Sequence, residues 1–181
     1  MIQEKSETAG KKSRSGGFFV KYLWGITIVA LVLRLVASWE MAHAADGINN
    51  VLTPLPTSDL ATYMKLGKEC AAGNFPETFY YQPYFYAVFL VFCNFISGSA
   101  VAVFIVLQAL LSSATVFLTG WCGKKVFNEK AGLIAAGLTA VSSSLILYVP
   151  FCQNETLQTF HLILLFALTL YSLENRHGTA G

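Results

Sequence analysis

Charge is scarce in this sequence. Lys, Arg, Asp and Glu make up 12% of its 181 residues, about half the share in an ordinary soluble domain. Cysteine is sparse and unpatterned. Cys70, Cys93, Cys122 and Cys152 form no C-x-x-C pair, so they read as small buried hydrophobes rather than a zinc site or a disulfide framework. Excess charge of either sign is missing too, the formal net charge being +2, which gives no reason to expect a nucleic-acid partner. What is abundant is apolar surface. Hydrophobic residues reach 55%, the mean hydropathy is +0.55, and several runs of about 20 residues carry no charge. Disorder, a secreted disulfide scaffold and a soluble globule are excluded. The composition is that of an integral membrane protein.

The runs set an all-α, polytopic expectation. Residues 1–20 read as a cytoplasmic tail, polar and flexible over 1–17 with Lys5, Lys11, Lys12 and Arg14. Apolar segments follow at about 22–42, 100–122, 131–151 and 156–173, each long enough to cross a bilayer. A cleaved signal peptide is the competing reading of the first, because Ala42-His43-Ala44 imitates a cleavage site. The internal Arg34 and the spans that follow argue against it. Between the first two spans lies a loop over 43–99, and two helices are expected to rest on the membrane face within it. One covers 59–72, started by Ser58-Asp59 and ended near Gly73-Asn74. The other covers 83–96, apolar but only about 14 residues long and too short to cross. Residues 174–181 read as a second cytoplasmic end, and the chain as the N-terminal part of something longer.

Basic residues favour the cytoplasmic side of a membrane. With 83–96 held out of the bilayer, Lys5, Lys11, Lys12, Arg14, Lys21, Lys124, Lys125, Lys130 and Arg176 all fall on one side, nine of the twelve. The other side keeps Lys65 and Lys68 and six of the ten acids: Glu40, Asp46, Asp59, Glu69, Glu77 and Glu155. The expectation is about four spans in the inner membrane, with the N-terminus in the cytoplasm.

Chemistry-bearing residues gather on that acidic side. Asp59 suits a general base or metal ligand at the membrane face, and equally a helix cap. Glu155, at the outer end of the last span, has the same two readings. Arg34 would snorkel to lipid phosphate, or pair with an outer acid or a lipid-phosphate substrate. His161, in mid-span, reads as a hydrogen-bond partner between helices rather than a ligand. Tyr80-Tyr81-Gln82-Pro83-Tyr84 supplies interfacial aromatics and a glutamine able to reach a sugar hydroxyl.

The order of motifs resembles a family. Asp59-x-x-x-Tyr63, Gly73-x-Phe75-Pro76 and Gln82-Pro83-Tyr84 look like the first outer loop of C-type membrane glycosyltransferases. The nearest likeness is to bacterial relatives of the dolichyl-phosphate-mannose protein mannosyltransferases. Gln108, Lys124-Lys125-Val126-Phe127 and 131–136 are similar to their next two helices, and Asn154-Glu155-Thr156-Leu157 falls where they carry a second outer-face acid. The likeness covers about residues 20–173.

That resemblance implies transfer of a hexosyl or pentosyl group from a polyprenyl-phosphate carrier to a protein, lipid or glycan acceptor outside the membrane. It implies Asp59 as catalytic base and Glu155 as the second acid of the site. Tyr63, Gln82 and Arg34 would bind substrate, and a divalent metal ion, if used, would sit on Asp59 and Glu155. Two positions depart from the family. Leu60 follows Asp59 where many members have a second acid, and Tyr81-Gln82 replaces a Glu-Lys pair of the aminoarabinose-transferring branch. The other reading of the same residues is a non-catalytic polytopic protein, a transporter piece or an assembly subunit, which would place ionisable groups inside the spans.

Overall fold

The computed structural model describes residues 2–43, 61–62, 65–66, 69, 72–74, 101–151 and 154–178. It is helical throughout, with no strand among the described residues. In chain order the helices are α1 (Ile2–His43), α2 (Val101–Val126), α3 (Glu129–Ala140), α4 (Ser143–Leu147) and α5 (Glu155–Gly178). Three contain segments long and apolar enough to cross a membrane: Gly17–Met41 of α1, Val103–Val126 of α2 and Glu155–Asn175 of α5.

Two expectations need correction. Residues 2–17, expected as a flexible tail, continue α1 as helix. No proline interrupts residues 1–43, and extending a helix already nucleated by its apolar half is far easier than starting one. The expected span over 131–151 is not one helix. α3 has 12 residues, about 18 Å at helical rise, against a hydrocarbon core of about 30 Å. It stops at Ala140, the Val141 N–H closing back on Gly137 O at 3.2 Å. Ser142, Ser143 and Ser144 follow, hydroxyls that compete for backbone partners and favour helix ends over interiors. α4 then runs for only five residues. A fourth span is not found among the described residues.

Between α1 and α2, Ala61, Thr62, Lys65, Leu66 and Glu69 are helical. Asn74 N–H bonds Glu69 O at 2.9 Å, while Gly73 takes φ +82°. This is a Schellman ending, which needs a left-handed residue just past the helix and is easiest with glycine. The proposed surface helix over 83–96 lies outside the described residues.

The chain divides into two compact units. One comprises Met1–Ala30, Ser113–Ser142 and Leu162–Gly181. Its core joins Phe19, Leu23 and Ala30 of α1 to Val116 of α2 and to Ala136 and Ala140 of α3. α2 and α3 form a hairpin closed by Asn128, whose side chain accepts the Ala131 N–H at 2.9 Å, a side-chain cap of the helix start. The two helices meet through glycine. A Cβ on Gly132 would fall 2.5 Å from Gly120 O and 2.8 Å from Lys124 N, so only a hydrogen fits there. At this end Lys124 pairs with Glu129 at 2.9 Å and lies 4.4 Å over the Phe19 ring. Lys125 pairs with Glu174 of α5 at 2.7 Å.

The other unit comprises Leu31–Ser112 and Ser143–His161. Its interior is unusual for an apolar chain. Arg34, Ser38, Gln108 and Ser112 are buried, as are Phe104, Ala109, Val149 and Pro150. Ser38 follows Arg34 by four residues on α1, and Ser112 follows Gln108 by four on α2, the spacing that puts each pair on one helix face.

Candidate functional site

Arg34 sits in the second unit at 0% exposure. It does not snorkel. Its Nε donates to Ser112 Oγ at 2.6 Å, and Ser112 Oγ in turn donates to Leu145 O of α4 at 3.2 Å. One hydroxyl thus links a buried cation on α1 to a carbonyl on α4. Ser38 Oγ donates back to Arg34 O at 2.7 Å, which satisfies that hydroxyl locally. An ionised group in an apolar span is costly unless its donors find oxygen acceptors, and Ser112 Oγ is one of them.

Glu155 opens α5. Asn154 O accepts the Gln158 N–H at 2.9 Å, so Asn154 takes the cap position and Glu155 the first helical one. There the carboxylate benefits from the positive helix end. Among the described residues, Glu155 Oε2 is a buried atom without a hydrogen-bond partner, and so is Oγ1 of Thr156, the next residue. Thr156 is buried as a whole, at 3% exposure. Buried polar atoms are nearly always hydrogen-bonded in native proteins, so two adjacent exceptions call for an explanation. A carboxylate oxygen with its lone pairs to spare and a hydroxyl with its proton to give suit the hydroxyl groups of a polar ligand.

Of the remaining candidates, Asp59, Tyr63 and Gln82 lie outside the described residues. His161 is described: its Nδ1 hydrogen-bonds Leu157 O, one turn back on its own helix, at 2.7 Å. Facing a carbonyl oxygen, Nδ1 is the donor of that bond. As to metal, no group of three His, Cys, Asp or Glu side chains comes together among the described residues.

Ser112 belongs to no motif, and Gln108 and Thr156 enter the family likeness without a role of their own. Their signal is spacing. For Gln108 and Ser112 that signal is two polar residues four apart in a mostly apolar run, a spacing that puts both on one helix face. No family model, curated protein or solved structure matches the chain. The likeness to C-type glycosyltransferases therefore rests on the order of its own motifs.

Proposed function

We propose that this chain is a membrane-embedded module for transferring a sugar from a polyprenyl-phosphate carrier, with its site on the outer face of the membrane. The observation that carries the reading is Glu155. It stands at the end of an apolar span, holding a buried carboxylate oxygen with no hydrogen-bond partner among the described residues. A donor sugar at the membrane face has hydroxyls to offer such a group.

In the proposed reaction the acceptor hydroxyl oxygen attacks the anomeric carbon. The bond from that carbon to the phosphate oxygen breaks, and the phosphate leaves with the electron pair on its lipid. The base takes the hydroxyl proton. Asp59 is assigned that role, Glu155 orients the sugar, and Tyr63 and Gln82 complete the loop wall. A base in this position contributes about 10² to 10⁴ in rate.

A second reading has its own support. A transporter or assembly subunit would carry ionisable groups inside its spans, and Arg34 is one, fully buried beside Ser112. The two readings differ in ligand. The test is binding of the purified chain to a polyprenyl-phosphate-linked sugar, followed by native mass spectrometry, with free polyprenol as the control. The glycosyltransferase reading expects retention of the lipid-linked sugar over polyprenol, weakened by Glu155→Gln. Equal retention of both lipids, unchanged by that substitution, would discard it.

A further inference from the structure

The first unit ends in a plane of charge whose construction points to a partner. Lys124 is held between Glu129, at 2.9 Å, and the face of Phe19, at 4.4 Å. Lys125 is held between Glu174, at 2.7 Å, and the Trp121 ring, at 5.3 Å. These contacts tie α1, α2, α3 and α5 at one level and fix two ammonium groups there. The two glutamates balance those two charges. Lys21, two residues beyond Phe19, and Lys130, next to Glu129, are both exposed, and neither has an ion pair among the described residues. Among the described side chains, Lys21 and Lys130 are therefore positive charges beyond the two balanced pairs. Around them stand exposed aromatics, Phe18 and Tyr22 on α1 and Phe127 in the α2–α3 turn. Aromatic rings beside lysines at the end of apolar helices are the composition of a headgroup layer.

We propose that this end of the unit binds the headgroups of anionic phospholipids, with Lys21 and Lys130 each as a phosphate contact and the Lys124–Glu129 and Lys125–Glu174 pairs as the frame. The occupant is a lipid because the surplus cations are flanked by exposed apolar side chains, which an acyl chain covers and a soluble anion does not. The proposal is independent of the sugar-transfer reading. It requires only that the apolar segments lie in a bilayer. An exposed lysine near a membrane surface enriches an anionic headgroup about fivefold, so the two together give a clear preference over a zwitterionic lipid.

Trp121 reports on this place, since Lys125 lies over its ring. With Trp24→Phe and Trp39→Phe, Trp121 becomes the only indole in the chain. In vesicles, its fluorescence is quenched by phospholipids brominated on the acyl chain. Brominated phosphatidylglycerol should quench more than brominated phosphatidylcholine at low salt. The excess should vanish at about 1 M salt, where charges are screened within about 3 Å, and in the Lys21→Gln, Lys130→Gln variant. Equal quenching by both lipids at low salt would overturn the proposal. So would an excess that survives either the salt or the double substitution. The salt series needs no lysine substitution, so a variant that failed to fold would leave the test intact.

Discussion

Arg34 and Ser112, 78 residues apart in the chain, meet inside an apolar unit with Nε donating to Oγ at 2.6 Å. The same hydroxyl donates to Leu145 O. A cation on α1 therefore reaches α4 through one side chain, and this part of the chain is assembled around a polar contact. Ser112→Ala should cost about 2 kcal/mol, the scale of a hydrogen bond to a charged group, and Arg34→Ala about 3 kcal/mol or more, because its buried partners lose their donor. Unfolding in sodium dodecyl sulfate, followed by circular dichroism, would measure both. The double variant should be less destabilised than the sum. Additive losses would mean the two residues do not act together.

Glycine at α2–α3 allows a second contrast. Gly132→Ala places a methyl group against Gly120 O and Lys124 N, both backbone atoms that cannot swing aside, and should destabilise by about 2 kcal/mol. Gly137→Ala, on the same helix, meets nothing within 4 Å and should be neutral or stabilise by up to about 1 kcal/mol, the helix-propensity gain. The same unfolding assay separates them. Equal effects would contradict the close approach of the two helices.

The ion pairs of the first unit predict the opposite of what their short distances suggest. Lys125–Glu174 and Lys124–Glu129 are partly exposed, and pairs of that kind are worth about 1 kcal/mol or less. Lys125→Gln should leave the unfolding midpoint nearly unchanged. A loss of several kcal/mol would show that these residues hold the unit together rather than frame its surface.

How much of this was legible in the sequence depends on distance along the chain. The long helices were, since charge-free runs near 20 residues admit few other structures, and Gly73-Asn74 marked a helix end that the backbone duly shows. The break at Val141–Ser142 was not. Serine barely lowers the hydropathy of an apolar run, yet its hydroxyl competes for the backbone. Arg34 could be located but not placed, because snorkelling and burial differ only by a partner on another helix. Glu155 stood out as an acid at a span end, while the buried Thr156 hydroxyl beside it was hidden in an ordinary helix start. Asp59, Tyr63 and Gln82 remain readings of the sequence.

Orientation follows from the lysines. If basic residues mark the cytoplasmic side, then with Ser at the four native cysteine positions, Gly98→Cys should react with an impermeant maleimide from outside, and Lys125→Cys should not. The reverse pattern would turn the chain over and move Glu155 to the cytoplasmic face.

The central claim is that Asp59 and Glu155 belong to one site on one face of the membrane. It is tested by the distance between them. With the native cysteines removed, an Asp59→Cys, Glu155→Cys variant in membranes should be joined by a bifunctional thiol reagent spanning about 15 Å, the scale of a ligand cavity. An Asp59→Cys, Lys125→Cys control should not be joined. Failure to link the first pair while each cysteine reacts singly, or linkage of the control instead, would contradict the shared site and the sugar-transfer reading with it.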